Sequence, residues 1–466
     1  MSLFRTRGRL RPGALALAVA LLAHWPAGPL AAQTTPLRLP FTIDTLPNGL
    51  TLIVHQDRSV PTVAVNMWYH VGSGDERVGR TGFAHLFEHL MFMGSQNAEY
   101  PAFDRLLEAA GANNNGSTTE DRTNYYESGP RTALPLMLWL EADRMGWLLP
   151  TMDSAKVDLQ RDVVKNERRQ SYENRPYGMA FTELPGAMYP TGHPYSWPVI
   201  GSMRDLTAAS VEDVKNFFRM YYAPNNATLV VAGDVDPVEV RRLVRQYFGE
   251  IPRGPAPDRP PTPTFQLRRD TTIVLEDRVQ LPRLFLDWHT VRGYSQDDAA
   301  LNVLGYILTG AKNGRLTQTL VYDRQVATNV FAGQDGKLRD GDFSVITTAK
   351  PGTPLDTLQA IVDRELARLI AEGPTARELD QARNSLEAGQ LRQLENVDAK
   401  ADQLNAYYYF TGQPDYLAQD LARTRAVTAA DVQRVARQYL QAPRVVLSVV
   451  PQGHRELAAT RAGVTP

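Results

Sequence analysis

PRGPAPDRPPTPT, residues 252–264, lies near the middle of this 466-residue chain. Proline fixes φ and removes a backbone donor, so such a run is extended and semi-rigid and serves as a linker. The competing reading is a long surface loop within one domain. The flanks argue against it, because they resemble each other. Upstream, Asp57-Arg58 leads through Pro61 into a strand ending Trp68-Tyr69-His70. Downstream, Asp277-Arg278 leads through Pro282 into a strand ending Asp287-Trp288-His289. Farther out, Thr207-Ala208-Ala209 is expected to start a helix ending near Tyr221, followed by Ala223-Pro224 and the strand ATLVV (227–231). Thr428-Ala429-Ala430 starts the matching helix ending near Tyr439, followed by Ala442-Pro443 and the strand RVVLSV (444–449). Shared order, spacing and turn residues describe a duplicated α+β unit, with β-rich runs beside long amphipathic helices such as 376–394.

The copies differ in one decisive place. The first carries FAHLFEHLMF (83–92), and the corresponding part of the second reads LNVLGY (301–306). His85 and His89 are four apart, one helical turn, so both imidazoles can reach one metal ion. Glu88 projects to the same side. Its carboxylate can take a proton from a water that the ion acidifies, the minimum set for hydrolysing a peptide bond. Helix surfaces also acquire His and Glu at these spacings by accident. Here, however, the flanks are nearly all apolar, which marks a buried helix, and buried ionisable groups are costly unless paired or metal-bound. A catalytic zinc takes three protein ligands and keeps one position open. Glu127, Glu141 and Glu167 are all acidic candidates for the third. One half is therefore chemical; the other is expected to shape the substrate chamber.

Bulk composition narrows the setting. A chain of this length exceeds one hydrophobic core. Hydrophobic residues at 43% and charged residues at 22% suit a globular protein. There is no cysteine, which excludes thiolate metal sites, a cysteine nucleophile, disulfides and a lipoprotein anchor. Residues 1–32 read as a secretory signal: Arg5, Arg7, Arg9 and Arg11, an apolar run over 14–23, and a small-residue cleavage site at Leu30-Ala31-Ala32. An uncleaved anchor is the alternative, but the apolar run is short for a bilayer. The segment carries four arginines and no acids, so without it 46 basic residues face 51 acidic ones. That balance gives no reason to expect nucleic acid or an anionic membrane as a partner. No later segment is apolar enough to span a membrane. The expected location is exported, periplasmic or secreted.

The chain resembles the pitrilysin/insulinase-type zinc metallopeptidases, the H-x-x-E-H inverzincins, and within them the branch of mitochondrial and bacterial processing peptidases. Carrying the resemblance are VGSGDE (71–76), TGFA (81–84) before the metal motif, MFMGS (91–95) after it, the N-x-x-T-x-x-D-x-T-x-Y spacing of Asn115, Thr118, Asp121, Thr123 and Tyr125, HPY (193–195), and YAPNN (222–226). It implies two homologous α+β halves forming a clamshell around a peptide chamber. The metal half would span 33–251 and the metal-free half 265–466. It implies zinc held by His85, His89 and, from VVKNERR (163–169), Glu167, with Glu88 as base. The implied activity is that of an endopeptidase acting on peptides or unfolded segments. Asn115, Gly116 and Ser117 would be a sheet edge that pairs with an extended substrate. Read alone, Asn113-Asn114-Asn115-Gly116 is equally good turn chemistry.

Two positions depart from the family. Gln160 stands where many members carry a second glutamate seven residues before the third ligand. More consequentially, the arginine and tyrosine that grip the substrate backbone in active single-chain relatives align with Val321 and Thr328. Tyr322 and Arg324 are the candidates for displaced substitutes, and Arg315 is a different, structural position. The resemblance then implies a zinc-bearing subunit completed by a homologous, metal-free partner that carries the Arg/Tyr pair, with a homodimer as the alternative. The competing functional class is a catalytically silent chamber subunit that binds peptides or scaffolds another chain.

Overall fold

Runs rich in β-branched and aromatic residues, with the polar Asn113–Thr118 added at one edge, build a six-stranded sheet in the first half from β1 (Thr42–Thr45), β2 (Thr51–Gln56), β3 (Thr62–Tyr69), β4 (Asn113–Thr118), β5 (Thr123–Pro130) and β6 (Ala227–Gly233). A five-stranded sheet in the second half comprises β7 (Thr271–Asp277), β8 (Arg283–Thr290), β9 (Ala327–Gly336), β10 (Gly341–Ala349) and β11 (Arg444–Pro451). The structure, a computed structural model, describes residues 37–460; the expected leader and its cleavage site lie outside the described residues. The strand orders are β1-β2-β6-β3-β5-β4 and β7-β11-β8-β10-β9. Without β1 they are one topology twice. β2 pairs parallel with β6 as β7 does with β11, and every other pairing is antiparallel. The chain is an α+β protein of two like halves.

The central strands do not alternate between buried and exposed residues. β6 is buried at all seven positions, and β3 and β8 are buried at every position after the first. A sheet with one face in water would alternate, so both faces must be covered. Helices of the same half cover one face. The other is covered by exchange: the Val397–Thr411 helix of the second half lies across β3 and β6, and the Ala180–Met188 helix of the first half lies on β8 and β11. Leu404 and Tyr407 thus join a core with Ile53, Ala64, Val230 and Ala232. Met188 joins one with Phe285, Val445 and Leu447.

One expected helix start is corrected. Thr207 and Ala208 close a short helix, Met203–Ala208, and Ala209 is extended. The long helix is Val211–Tyr221, capped by Ser210 in a reciprocal box with Asp213. Thr428 and Asp431 form the same box before Ala429–Leu440. The repeat is thus Ser210 with Thr428, three residues later than the Thr-Ala-Ala match, because two exchanged hydrogen bonds fix a helix start better than composition does. The 252–264 segment has no helix or strand. It is tied to the first half: Arg259 bonds Asp75 at 3.0 Å and the His70 carbonyl at 2.8 Å. Among the described residues no helix is long and apolar enough to cross a membrane.

Candidate metal centre

The helix carrying the motif is Phe83–Leu90. Phe83, Leu86, Phe87 and Leu90, at i, i+3, i+4 and i+7, are buried in the first core. His85, Glu88 and His89 therefore share the other face. The helix enters from Gly82, whose φ of 89° is a conformation that favours glycine. The Glu76 carboxylate returns from the preceding loop to accept from the Gly82 N–H at 2.9 Å and the Ala84 N–H at 2.8 Å, meeting helix-end donors that lack partners of their own. The third residue arrives on the Ser154–Arg168 helix, capped by the Asp153 side chain, with Glu167 in its last turn. That helix packs on the first, bringing residues 78 positions apart in sequence together.

Glu167 Oε2 lies 3.2 Å from His89 Nε2 and 3.6 Å from His85 Nε2. All three ligand atoms fall within 4.8 Å of one another. Ligands about 2.0–2.2 Å from a tetrahedral zinc stand roughly 3.3–3.6 Å apart, so the donor set and the two spacings to Glu167 suit that ion, which with three protein ligands would keep a fourth position for water. Burial pushes the His85 imidazole down to about 4, favouring the neutral form that can ligate. The hydrogen bond with His89 holds the Glu167 carboxyl below its ordinary value, assisted by charge interaction with His85. Glu88 shifts the other way: burial raises it, against the pull of a 2.6 Å hydrogen bond donated by Thr118 Oγ1 to its Oε2. Two carboxylates with pKa values pushed apart suit a ligand and a proton acceptor.

The other acidic candidates for the third ligand are already engaged. Arg144 lies fully buried between them: Nη2 donates to Glu127 Oε1 at 3.0 Å and Nε to Glu141 Oε2 at 3.0 Å, with a second bond from Nη2 to Glu141 Oε1. Gln160 donates to Met93 Sδ at 2.7 Å and does not join the cluster. Asn115, Gly116 and Ser117 lie on β4, an edge strand of the sheet and not a turn. Strand alternation separates them. Gly116 faces the motif helix, where an added Cβ would stand 3.1 Å from Glu88 Cγ. Ser117 bonds Asn124 on the opposite face. Asn115 Oδ1 accepts from the Gly116 N–H at 2.8 Å on the exposed edge. In the second half, Arg315 is buried against Glu378 and the Gly373 carbonyl, as a structural arginine should be. Val321 packs against the second core, Thr328 donates to the Thr348 carbonyl, and Tyr322 and Arg324 are exposed. Sequence reading passed over the site roles of Thr118 and Glu76. Thr118 was findable by counting two residues along the strand from Gly116; Glu76 stands in the quoted VGSGDE run, but nothing in that run marks it as a cap for the motif helix.

Residues 51–196 match the family model "Insulinase (Peptidase family M16)", and 208–386 match "Peptidase M16 inactive domain". The chain is 29% identical over 405 residues to the zinc protease PqqE of Helicobacter pylori, covering 85% of this chain and 89% of that one. It is similar to the crystal structure of a Helicobacter pylori protease at a TM-score of 0.84 and 27% identity, over 89% of this chain and all of the other. The fold also recurs in the periplasmic protease PqqL of Escherichia coli at a TM-score of 0.75 and 18% identity. That match takes in 92% of this chain but 50% of PqqL.

Proposed function

This chain belongs to the insulinase family of peptidases, M16, and from that membership and the site's geometry we propose that it is a zinc-dependent endopeptidase. The observation that carries the reading is the convergence of His85, His89 and Glu167 on one point, with Glu88 beside it. Bound there, zinc would supply a Lewis acid and an acidified water. Glu88 takes the proton from the attacking water and returns it to the departing amine. Thr118 holds the Glu88 carboxylate toward the site. The β4 edge receives the substrate as an added strand, whose backbone displaces the Asn115 side chain from the Gly116 N–H. The substrate is accordingly an extended peptide or unfolded segment.

We place the metal half at 33–251 and the metal-free half at 265–466, joined by 252–264. Residues 1–32 would direct export to the periplasm or beyond. With Val321 and Thr328 in the arginine and tyrosine places, this chain is the zinc-bearing subunit of a two-chain enzyme. The second reading, a silent peptide-binding subunit, is favoured by those same two residues. Purified chain loaded with zinc should degrade an unfolded polypeptide weakly alone and rapidly with a homologous partner, and stop on chelation in both cases. Equal, negligible degradation by wild type and Glu88→Gln in every combination, with zinc bound in both, would favour the silent subunit.

A further inference from the structure

The β9–β10 hairpin of the metal-free half ends in the turn 337–340, which bonds three segments of the first half, around Asp121, Tyr195 and Gly74. The Leu338 N–H donates to Asp121 Oδ2 at 2.8 Å, and the Arg339 N–H to Tyr195 Oη at 3.1 Å. The Arg339 guanidinium, largely buried, forks onto the Gly74 carbonyl at 2.7 Å and Asp75 Oδ1 at 2.5 Å. Those two residues directly precede Glu76, whose carboxylate caps the motif helix just before His85. The same loop is stapled to the β4–β5 turn: the Ser73 N–H bonds the Thr119 carbonyl and the Gly74 N–H the Glu120 carbonyl, at 3.1 and 2.7 Å. Thr119 follows Thr118, which holds Glu88. There is no slack here, since a Cβ on Gly72 would lie 2.4 Å from the Thr119 carbonyl oxygen.

We propose that Arg339 is a positioning residue for the metal centre: a guanidinium of the metal-free half fixes, through the Gly74–Glu76 loop, both the helix that presents His85 and His89 and the strand that holds Glu88. The inference rests on the zinc reading above and adds a role for the second half within this chain. Groups bonded directly to metal ligands typically change metal affinity by about 10–100-fold when removed, and Arg339, acting one loop farther out, is expected at or below the low end of that range. Arginine is suited to the task because its planar fork serves the carbonyl and the carboxylate together, which lysine cannot do with the same geometry.

The test uses the full chain and two metal probes, zinc titrated against a chromogenic chelator and cobalt(II) followed by its visible absorption. Arg339→Ala should fold, by circular dichroism, yet bind zinc up to about tenfold more weakly and show an altered cobalt spectrum. Arg339→Lys should fall between it and wild type. Lys400→Ala is the control, because it removes another ion pair between the halves, with Asp57, away from the metal loops. It should leave both readouts unchanged. Wild-type affinity and spectrum in Arg339→Ala would overturn the inference, as would an equal fall in Lys400→Ala, which would signify general loosening. If Arg339→Ala does not fold, Arg339→Lys decides: weakened zinc supports the role and wild-type zinc overturns it. A wild-type chain that binds neither ion overturns the metal reading itself, an outcome distinct from all of these.

Discussion

Glu88 and Glu167 are the same side chain sent in opposite directions by their surroundings. One is raised by burial; the other is lowered by its histidine neighbours. Glu88→Gln keeps the volume and an acceptor for Thr118, so the fold and zinc content should persist. Hydrolysis should fall by about two to four orders of magnitude, the usual weight of a general base. A variant cleaving peptides at near wild-type rate would refute that role. The paired substitution His85→Ala/His89→Ala should leave no stoichiometric zinc by elemental analysis, and Glu167→Ala should release it. Metal retained in the latter would move the third ligand to another acid. His85, Glu88 and His89 were legible in the sequence because one helical turn encodes their proximity. Glu167 was not, because Glu127 and Glu141 were equally good acids until the fold committed both to Arg144. Only the family resemblance singled Glu167 out.

At the scale of elements, the duplication could be read because each half writes the same strands and turns in the same order. The exchanged helices could not. A strand buried on both faces reads as a continuous apolar run, which says that something covers it but not which part of the chain does. The helix start misplaced at Thr207 shows a related limit: Thr-Ala-Ala matched by composition, while the Ser210–Asp213 box set the boundary. The second sheet also carries an acid that no pattern flagged. Asp287 on β8 is buried, and burial pushes its pKa up to about 7, against the opposing bond from the Ser344 hydroxyl. In the unfolded chain it titrates near 3.9. The folded state therefore holds this proton more tightly. The associated stability is fully present below about pH 4 and is lost as pH rises through about 7. Asp287→Asn cannot ionise, so its melting temperature should fall less than that of wild type between pH 5 and 8. Parallel melting curves for the two proteins across that range would show that Asp287 is ionised throughout.

At the scale of the whole molecule, the exchange of helices makes the two halves mutually dependent. A fragment ending within 252–264 would lose the Val397–Thr411 helix and expose Ile53, Ala64, Val230 and Ala232. It should aggregate or bind a hydrophobic dye, and co-expression with the remainder should relieve this. A soluble, dye-silent monomer would show that the first sheet does not need its cover. The largest expectation concerns what this chain lacks. Hydrolysis needs groups that position the scissile backbone and stabilise the oxyanion as well as a base. Val321 is a half-buried alkyl side chain packed against the second core and Thr328 is a hydroxyl bonded to a backbone carbonyl; neither side chain carries a positive charge or a phenol. Tyr322, in the helix Thr317–Asp323, and Arg324, at its end, are exposed. The active form should therefore be a heterodimer with a metal-free homologue of similar size carrying the arginine and tyrosine. A homodimer is the competing arrangement, since symmetric pairs are the commonest oligomers. Purified alone, this chain should bind zinc and cleave peptides weakly; titrating in the homologue should raise the rate steeply and saturate at one partner per chain. Replacing the partner's arginine should abolish that gain without altering zinc content. Full activity of the isolated chain, blocked by a chelator and indifferent to any second protein, would place the missing groups within this chain and make Tyr322 and Arg324 the first residues to replace.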